Sequence, residues 1–283
     1  MQRLIRVFRA AGVRFSRDGC AFLAQALAYN AIFAMIPLAL LGVAVFGFLF
    51  GTQEGQDRIM STIDDVAPAL HDLLAENIKS AVAFRGISGI IALGALVWSG
   101  KNLFQGMAYA LNRALGVPTG RPLVHDILLS IVMLPAIGIL LLLTTAVPPI
   151  VTFLAGIGGI AFPAPAVQIV TFGASVVLIF VAAAILYTFL PNRMLPWTFG
   201  IPGAIFTAFS YELTQIAFTV YTAHMNFFHI YGALSTVFAL LLWFYLMGLI
   251  FLYGAELSAV WHEQEDATER TAPALATPSE AAR

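Results

Sequence analysis

Lys101 and Glu212 are the side chains best placed to do chemistry in this sequence, because each stands inside a long apolar stretch. An ionisable group is expensive to keep within a membrane, so it marks a functional site by default. At about 1.5 Å per residue, both lie roughly 16–21 Å from the inner ends of their predicted helices. We therefore expect them to face the protein interior and to pair, directly or through water. The pair would serve a substrate or a proton, or it would be a structural ion pair that fixes helix register.

Uncharged polar residues accompany these two charges. The candidates for a polar path through the membrane are Gln25, Asn30, Ser99, Asn102, Gln105 and Gln215. Gln105 is four residues from Lys101, so the two share one helix face. Hydrogen bonding between helices is the alternative explanation for each of them.

Sequence motifs of common catalytic chemistry are absent. There is no GxxxxGK[ST] loop for nucleotide phosphates, no GxSxG turn and no HExxH zinc motif. His224 and His229 are five residues apart without a third ligand, so we interpret them as surface or interfacial histidines and predict no metal site. We also predict no cofactor and no enzymatic activity. A net charge of -1 gives no indication of nucleic-acid binding.

The composition places these residues in a lipid bilayer. Hydrophobic residues make up 60% of the 283 residues, charged residues only 10%, and the mean hydropathy is +0.89. Soluble domains carry about 25% charged residues. No Asp, Glu, Lys or Arg lies between Asp126 and Arg193, a stretch long enough to cross a hydrocarbon core of about 30 Å twice.

Apolar windows between charges and helix breakers predict an all-α integral membrane protein with about six transmembrane helices. The predicted spans cover residues 22–50, 86–111, 125–148, 165–190, 198–222 and 232–260, within a membrane domain over 19–261. Pro37 lies inside the first span, which is therefore either one kinked helix or a broken pair. Gly254 and Ser258 would permit a close helix contact in the last span, although such spacing alone does not indicate a dimer.

Basic residues predict that both termini are cytoplasmic, because Lys and Arg near span ends are retained on that side. In this orientation ten basic residues lie inside and three lie outside. The three outside residues fall in one long external segment at about 51–85, where acidic residues outnumber them. Helical spacing within this segment predicts external helices, which are a candidate surface for an envelope protein partner.

Two terminal segments complete the predicted organisation. Residues 1–18 carry an apolar helical stripe with arginines around it, which predicts a basic amphipathic helix resting on anionic headgroups. The alternative is a basic flank that only orients the first span. The tail over 262–283 has no apolar face and is expected to be disordered.

Several short stretches together are similar to the YihY/BrkB family of bacterial inner-membrane proteins. The matching segments are Leu27–Pro37, Trp98–Phe104, Ala110–Arg113, Phe189–Arg193, Pro196–Trp197, Pro202–Ala204, Tyr231–Leu234, Leu242–Trp243 and Gly254–Leu257. The resemblance covers about residues 15–260 and implies a location in the bacterial inner membrane with about six spans. Lys101 departs from the small or neutral residue that is commoner in the family, so the predicted ion pair would be particular to a subgroup.

The resemblance implies less about activity. Family members have carried the name ribonuclease BN, which we interpret as a misassignment, because the metal-binding or acid–base clusters that a nuclease needs are missing from this sequence. One member's name records serum resistance, and another is suspected of moving lipid A precursors. Our hypothesis is a transporter or flippase for an anionic lipid or lipid-linked envelope molecule; the alternative is a non-transporting scaffold or accessory subunit.

Two short motifs are candidate contacts for lipid headgroups on the inner face. Asn112 and Arg113 end the second predicted span, while Asn192 and Arg193 follow the fourth. Backbone breaks and guanidinium groups at these positions would hold a lipid phosphate. The alternative is that the motifs only end their helices and anchor them on the cytoplasmic side.

Overall fold

The computed structural model describes residues 2–49, 87–117, 164–193, 195–224 and 233–275, with positions 128–129, 132–133, 136–140, 143 and 150 between them. All regular structure in this part of the chain is helical, which confirms the predicted all-α class. The predicted external segment at 51–85, most of the predicted span at 125–148, and His229 lie outside the described residues.

Long helices account for most of the described residues. They are α1 (Gln2–Arg17), α2 (Cys20–Leu49), α3 (Ile87–Ala114), α4 (Ala164–Phe189), α5 (Ile201–His224) and α6 (Ala233–Leu275), with a 3₁₀ turn (Trp197–Gly200) before α5. Gly19 joins α1 to α2 with a φ of 69°, a conformation that glycine adopts without steric cost. Pro37 lies within the continuous helix α2, so the first predicted span is one helix and not a broken pair.

Three of these helices contain a stretch that is long and apolar enough to cross a membrane. The stretches are Cys20–Leu38, Ala166–Phe189 and Ser235–Glu265. Helices α3 and α5 have 28 and 24 residues, which is sufficient length, but they carry more polar side chains. The count of six spans therefore stays a prediction.

The outer surfaces of the helices suit a lipid environment. Ile169 of α4 is 72% exposed and Leu213 of α5 is 69% exposed, and further large apolar side chains of both helices are exposed beside them. A water-soluble protein rarely exposes such continuous apolar surface. Lipid tails are as apolar as leucine, so these side chains lose nothing by facing a bilayer.

Contacts along the chain define two compact units. The first, called the main unit below, contains Met1–Tyr29 and Phe104–Arg283; the second contains Asn30–Leu103. In the second unit, Ala34 and Leu96 are buried.

The core of the main unit forms around Tyr187 of α4. Its hydroxyl donates to the carbonyl oxygen of Phe251 at 2.6 Å and lies 2.7 Å from Oγ1 of Thr207, so one buried side chain joins α4, α5 and α6. Met133 and Ile137, four residues apart in the partly described region, also pack into this core. Because their spacing places both on one helix face, this part of the chain agrees with the predicted third span.

Helices α5 and α6 meet at two glycines. A methyl group on Gly203 would collide with the carbonyl oxygen of Gly254 and lie 2.6 Å from Oγ of Ser258. The N–H group of Gly203 donates to that same hydroxyl at 2.9 Å. Gly254 and Ser258 thus make a close helix contact, which their spacing permits. The partner helix is α5 of the same chain.

The predicted disordered tail needs a correction. Helix α6 continues to Leu275, so residues 262–275 are helical, and residues 276–283 lie outside the description. Alanine, glutamate, glutamine and arginine are good helix formers, and an existing helix extends without a new nucleation step. The sequence prediction gave too much weight to the absence of an apolar face.

We expect Gly203→Ala to destabilise the protein by about 1–3 kcal/mol, because the added methyl group forces the α5–α6 crossing apart. Thermal unfolding of the detergent-solubilised protein, followed by circular dichroism, measures the loss. Gly173→Ala in α4 is the matched control, since its methyl group would meet no atom within 4 Å. Equal melting temperatures for the two variants would contradict the close crossing.

Candidate functional site

A buried ion pair ties the N-terminal helix to the last helix. Nε of Arg14 lies 3.2 Å from Oε2 of Glu256, whose side chain is fully buried. The approach is an ion pair and not an aligned hydrogen bond. The same guanidinium donates to Oε1 of Glu263 at 2.6 Å and reaches the carbonyl oxygen of Ala114 at 3.5 Å. Arg14 therefore connects α1, the end of α3, and two turns of α6.

The other oxygen of the Glu256 carboxylate is also occupied. Its Oε1 accepts a hydrogen bond from Sγ of the buried Cys20 at 3.6 Å. A buried carboxylate needs both an opposite charge and hydrogen bonds to offset its loss of hydration. Arg14 and Cys20 supply these, so the start of α2 joins the same cluster.

Our sequence analysis missed Glu256. The signal was present, since Glu256 is an acidic residue inside the predicted span 232–260. Its partner Arg14 was interpreted only as part of a basic flank or a headgroup-binding helix. Pairing them required knowledge that α1 packs against α6, which spacing along the chain does not give.

Aromatic contacts dock the rest of α1. Val7 and Ala11 form its buried face, and the hydroxyl of Tyr253 donates to the carbonyl oxygen of Phe8 at 2.9 Å. The rings of Phe8 and Phe206 meet edge to face with centroids 5.9 Å apart. Helix α1 is therefore attached to α5 and α6, and its predicted contact with lipid headgroups remains a prediction for its exposed arginines.

The two predicted headgroup motifs come together in the main unit. Oδ1 of the buried Asn112 accepts a hydrogen bond from the backbone N–H of Asn192 at 2.8 Å. Asn112 lies in the last turn of α3. After this helix, Gly116 has a φ of 63°, and the N–H of Val117 donates to the carbonyl oxygen of Asn112. This is the hydrogen-bond pattern of a Schellman motif. Asn112 therefore helps to end its own helix and also holds the segment after α4.

Arg113 and Arg193 follow these two asparagines and are both exposed. Nε of Arg113 donates to the carbonyl oxygen of Asp18 at 3.3 Å, and no hydrogen bond of its terminal NH₂ groups to another described residue is present. Among the described residues, no carboxylate lies within ion-pair distance of either guanidinium. The Asp18 carboxylate instead contacts Nε of Arg17 at 3.1 Å, and this hydrogen bond raises the pKa of Arg17 above its ordinary value. Both asparagine-linked arginines thus have no carboxylate partner within the described part of the chain.

Glu212 faces the protein interior, as the sequence predicted. It is 8% exposed and continues the buried stripe of Ala204 and Ala208 at intervals of four residues. Oγ of Ser175 in α4 donates a short hydrogen bond to its Oε1. Ser175 was not among the predicted site residues, because a serine in a charge-free stretch carries no sequence signal.

Lys101 is partly buried, and its Nζ lies 4.8 Å from the ring centroid of Trp98, a distance at which a cation is attracted to the ring. Lys101 belongs to the second unit, whereas Glu212 belongs to the main unit. Their pairing therefore stays a prediction.

The other predicted polar path residues fall in both units: Gln25, Gln105 and Gln215 in the main unit, and Asn30, Ser99 and Asn102 in the second. Gln25 and Gln215 are exposed. Asn30, Asn102 and Gln105 are partly buried. Ser99 is also partly buried, and its hydroxyl donates to the carbonyl oxygen of Leu96 within its own helix at 3.2 Å.

Among the described residues, no group of three or more His, Cys, Asp or Glu side chains is placed to hold a metal ion. Nδ1 of His224 lies 2.8 Å from the carbonyl oxygen of Val220, within its own helix.

We expect Arg14→Met to destabilise the protein by about 3–5 kcal/mol, because the Glu256 charge would be left buried without a partner. The double variant Arg14→Met/Glu256→Leu should recover most of this loss, since apolar packing can replace a buried ion pair. Thermal or denaturant unfolding in detergent measures both effects.

Arg3→Met is the matched control for this ion pair. Arg3 lies 3.7 Å from Glu265, and both side chains are about half exposed, so the pair contributes at most about 1 kcal/mol. An Arg14→Met variant no less stable than Arg3→Met would contradict the structural role of the buried pair.

Comparisons with known proteins agree with this architecture. The chain matches the family described as Virulence factor BrkB over residues 11–278. A UPF0761 membrane protein of Pseudoalteromonas translucida (strain TAC 125) is 29% identical over 240 residues, covering 82% of this chain and 78% of that protein. A UPF0761 membrane protein of Coxiella burnetii (strain RSA 493 / Nine Mile phase I) is 27% identical over 263 residues, covering 87% and 90%.

A further relative carries an enzyme-like name. YfkH of Bacillus subtilis (strain 168), named as ribonuclease-like, is 24% identical over 250 residues, covering 84% of this chain and 89% of YfkH. No solved structure matches the chain. The family match extends from within α1 to beyond the end of α6, and the resemblance inferred from short motifs is confirmed. This chain is a membrane protein of the BrkB family.

Proposed function

We propose that this protein binds and moves an anionic lipid, or a lipid-linked envelope molecule, across the bacterial inner membrane. In this proposal Arg113 and Arg193 hold the headgroup on the cytoplasmic side. The observation that carries the proposal is the hydrogen bond from the Asn192 N–H to the Asn112 side chain, because it brings together the two segments that bear these arginines.

Phosphate chemistry fits this arrangement. An arginine can hold a phosphate through two parallel N–H···O bonds, and a pair of arginines can hold one from two sides. Two exposed cations on segments tied together repel each other unless an anion lies near them. Since Arg113 uses only Nε in its bond to Asp18, its terminal NH₂ groups remain available for a headgroup.

The membrane interior would then supply the path. Glu212 is buried beside Ser175, and an ionisable residue at this depth marks a pathway in many transporters. In the proposed mechanism Lys101 and Glu212 line the route of the headgroup, or of a proton that drives its movement.

We expect purified wild-type protein to retain an anionic phospholipid, and Arg113→Ala/Arg193→Ala to lose it. Native mass spectrometry of protein released from nanodiscs of equimolar phosphatidylethanolamine and phosphatidylglycerol measures the retained lipid. Arg113→Lys/Arg193→Lys is the charge-matched control: it keeps both cations but cannot bind bidentately, so retention should be intermediate.

Lipid binding that is indifferent to both of these changes would overturn the headgroup site. The search would then turn to a scaffold role with protein partners of residues 51–85.

We also expect Lys101→Met to abolish lipid movement while leaving the melting temperature near that of wild type. The substitution removes the positive charge from the proposed lipid path, but the packing of the helices is unchanged. Dithionite quenching of fluorescent phosphatidylglycerol in proteoliposomes measures the movement. Lys101→Met/Glu212→Leu should not restore it. If both variants move lipid as wild type does, the charges are structural and the pathway is excluded.

A further inference from the structure

An open groove of about 620 Å³ lies beside α1 in the main unit. Its walls are apolar along most of their length: Leu4 and Phe8 of α1 face Ile205 and Phe206 of α5, and Leu257 of α6 closes one side. Leu4 and Ile205 are nearly half exposed although they line this groove. Its volume falls within the range of about 300–1,000 Å³ that is usual for ligand sites.

Polar side chains also line the groove. They are Thr198, His262 and Glu265. The guanidinium of Arg3 lies 3.7 Å from the Glu265 carboxylate and 5.1 Å from the ring centroid of Trp261. Glu265 therefore brings an anion to the apolar groove, and Arg3, which is not itself a lining residue, places a cation beside it.

The histidine adds an acceptor to this polar end. Nδ1 of His262 lies 2.9 Å from the carbonyl oxygen of Ser258, which can only accept, so Nδ1 carries the hydrogen. In the neutral ring, Nε2 is then left as an acceptor. The ring is stacked on Phe199 with centroids 4.6 Å apart, which fixes its orientation.

We propose that this groove binds one zwitterionic phospholipid of the phosphatidylethanolamine type. An acyl chain lies along the apolar walls, the lipid phosphate is held by Arg3 and the Thr198 hydroxyl, and the ammonium group is held by Glu265 and His262. The charge pattern selects this headgroup over a purely anionic one, because an anionic headgroup would satisfy Arg3 but leave the Glu265 carboxylate facing a like charge.

The position of the groove agrees with a lipid ligand. It lies where α1, the start of α5 and the end of α6 meet, at the end of the main unit that the basic residues place at the cytoplasmic surface. Trp197 is exposed and Trp261 is partly exposed near this end, as is usual for tryptophan at the level of the headgroups. The site differs from the Arg113 and Arg193 site in residues and headgroup, and it does not depend on the proposed function.

The test uses full-length protein in nanodiscs of equimolar phosphatidylethanolamine and phosphatidylglycerol with identical acyl chains, analysed by native mass spectrometry. Ile205→Trp fills the groove and should abolish the retained phosphatidylethanolamine. Ile216→Trp is the matched control, because Ile216 is also an exposed residue of α5 but does not line the groove. It should retain the lipid as wild type does.

A second pair of variants tests the headgroup without altering the walls. Glu265→Gln should remove the preference for phosphatidylethanolamine over phosphatidylglycerol, whereas Arg113→Ala/Arg193→Ala should leave retained phosphatidylethanolamine unchanged. Equal retention by Ile205→Trp and Ile216→Trp would overturn the proposal. Retention of a second copy of this chain, detected by its mass, would also overturn the proposal. A preference for phosphatidylglycerol that persists in Glu265→Gln would overturn it as well.

Discussion

The buried carboxylate of Glu256 imposes the constraint on which the docking of α1 depends. A charge with no access to water is tolerated only if an opposite charge and hydrogen bonds replace its hydration. Arg14 of α1 and Cys20 of α2 meet that need. Since the Arg14 guanidinium also reaches Ala114 and Glu263, one residue fixes the positions of helices that are distant in sequence.

Elsewhere, close packing and not charge holds the helices together. The hydrophobic effect gives little attraction between helices that are already in lipid, so packing and interhelical hydrogen bonds must supply it. Gly203 and Gly254 let α5 and α6 approach until backbone atoms touch, and Ala24 sits in the same way against Gly248. Tyr187 adds two hydrogen bonds in the middle of this packing. The apolar side chains that a soluble protein would hide are left on the outside, where the solvent is lipid.

Much of this fold was predictable from hydropathy and charge. The apolar windows located α2 to α6 apart from their ends, because a helix is the simplest way to satisfy backbone groups in hydrocarbon. The interior position of Glu212 followed from the cost of a carboxylate in lipid. Residues 262–275 were predicted as disordered but are helical, because helix propensity and the extension of an existing helix do not need an apolar face.

The contacts between helices could not be predicted from the sequence. Nothing in the spacing of Arg14 shows that it meets Glu256, and Ser175 is one small residue in a charge-free stretch. The bond between Asn112 and Asn192 joins two motifs that the sequence had placed on the same face, but it needed a folded chain to show which atoms meet.

The docking of α1 has a consequence for biogenesis. Arg14 is made early, yet its partner Glu263 follows 249 residues later. At about 5–20 residues per second, synthesis of that interval takes roughly 12–50 s. During this time α1 has no α6 to bind, so a nascent chain exposes the arginines and the apolar face of α1 until α6 has been made.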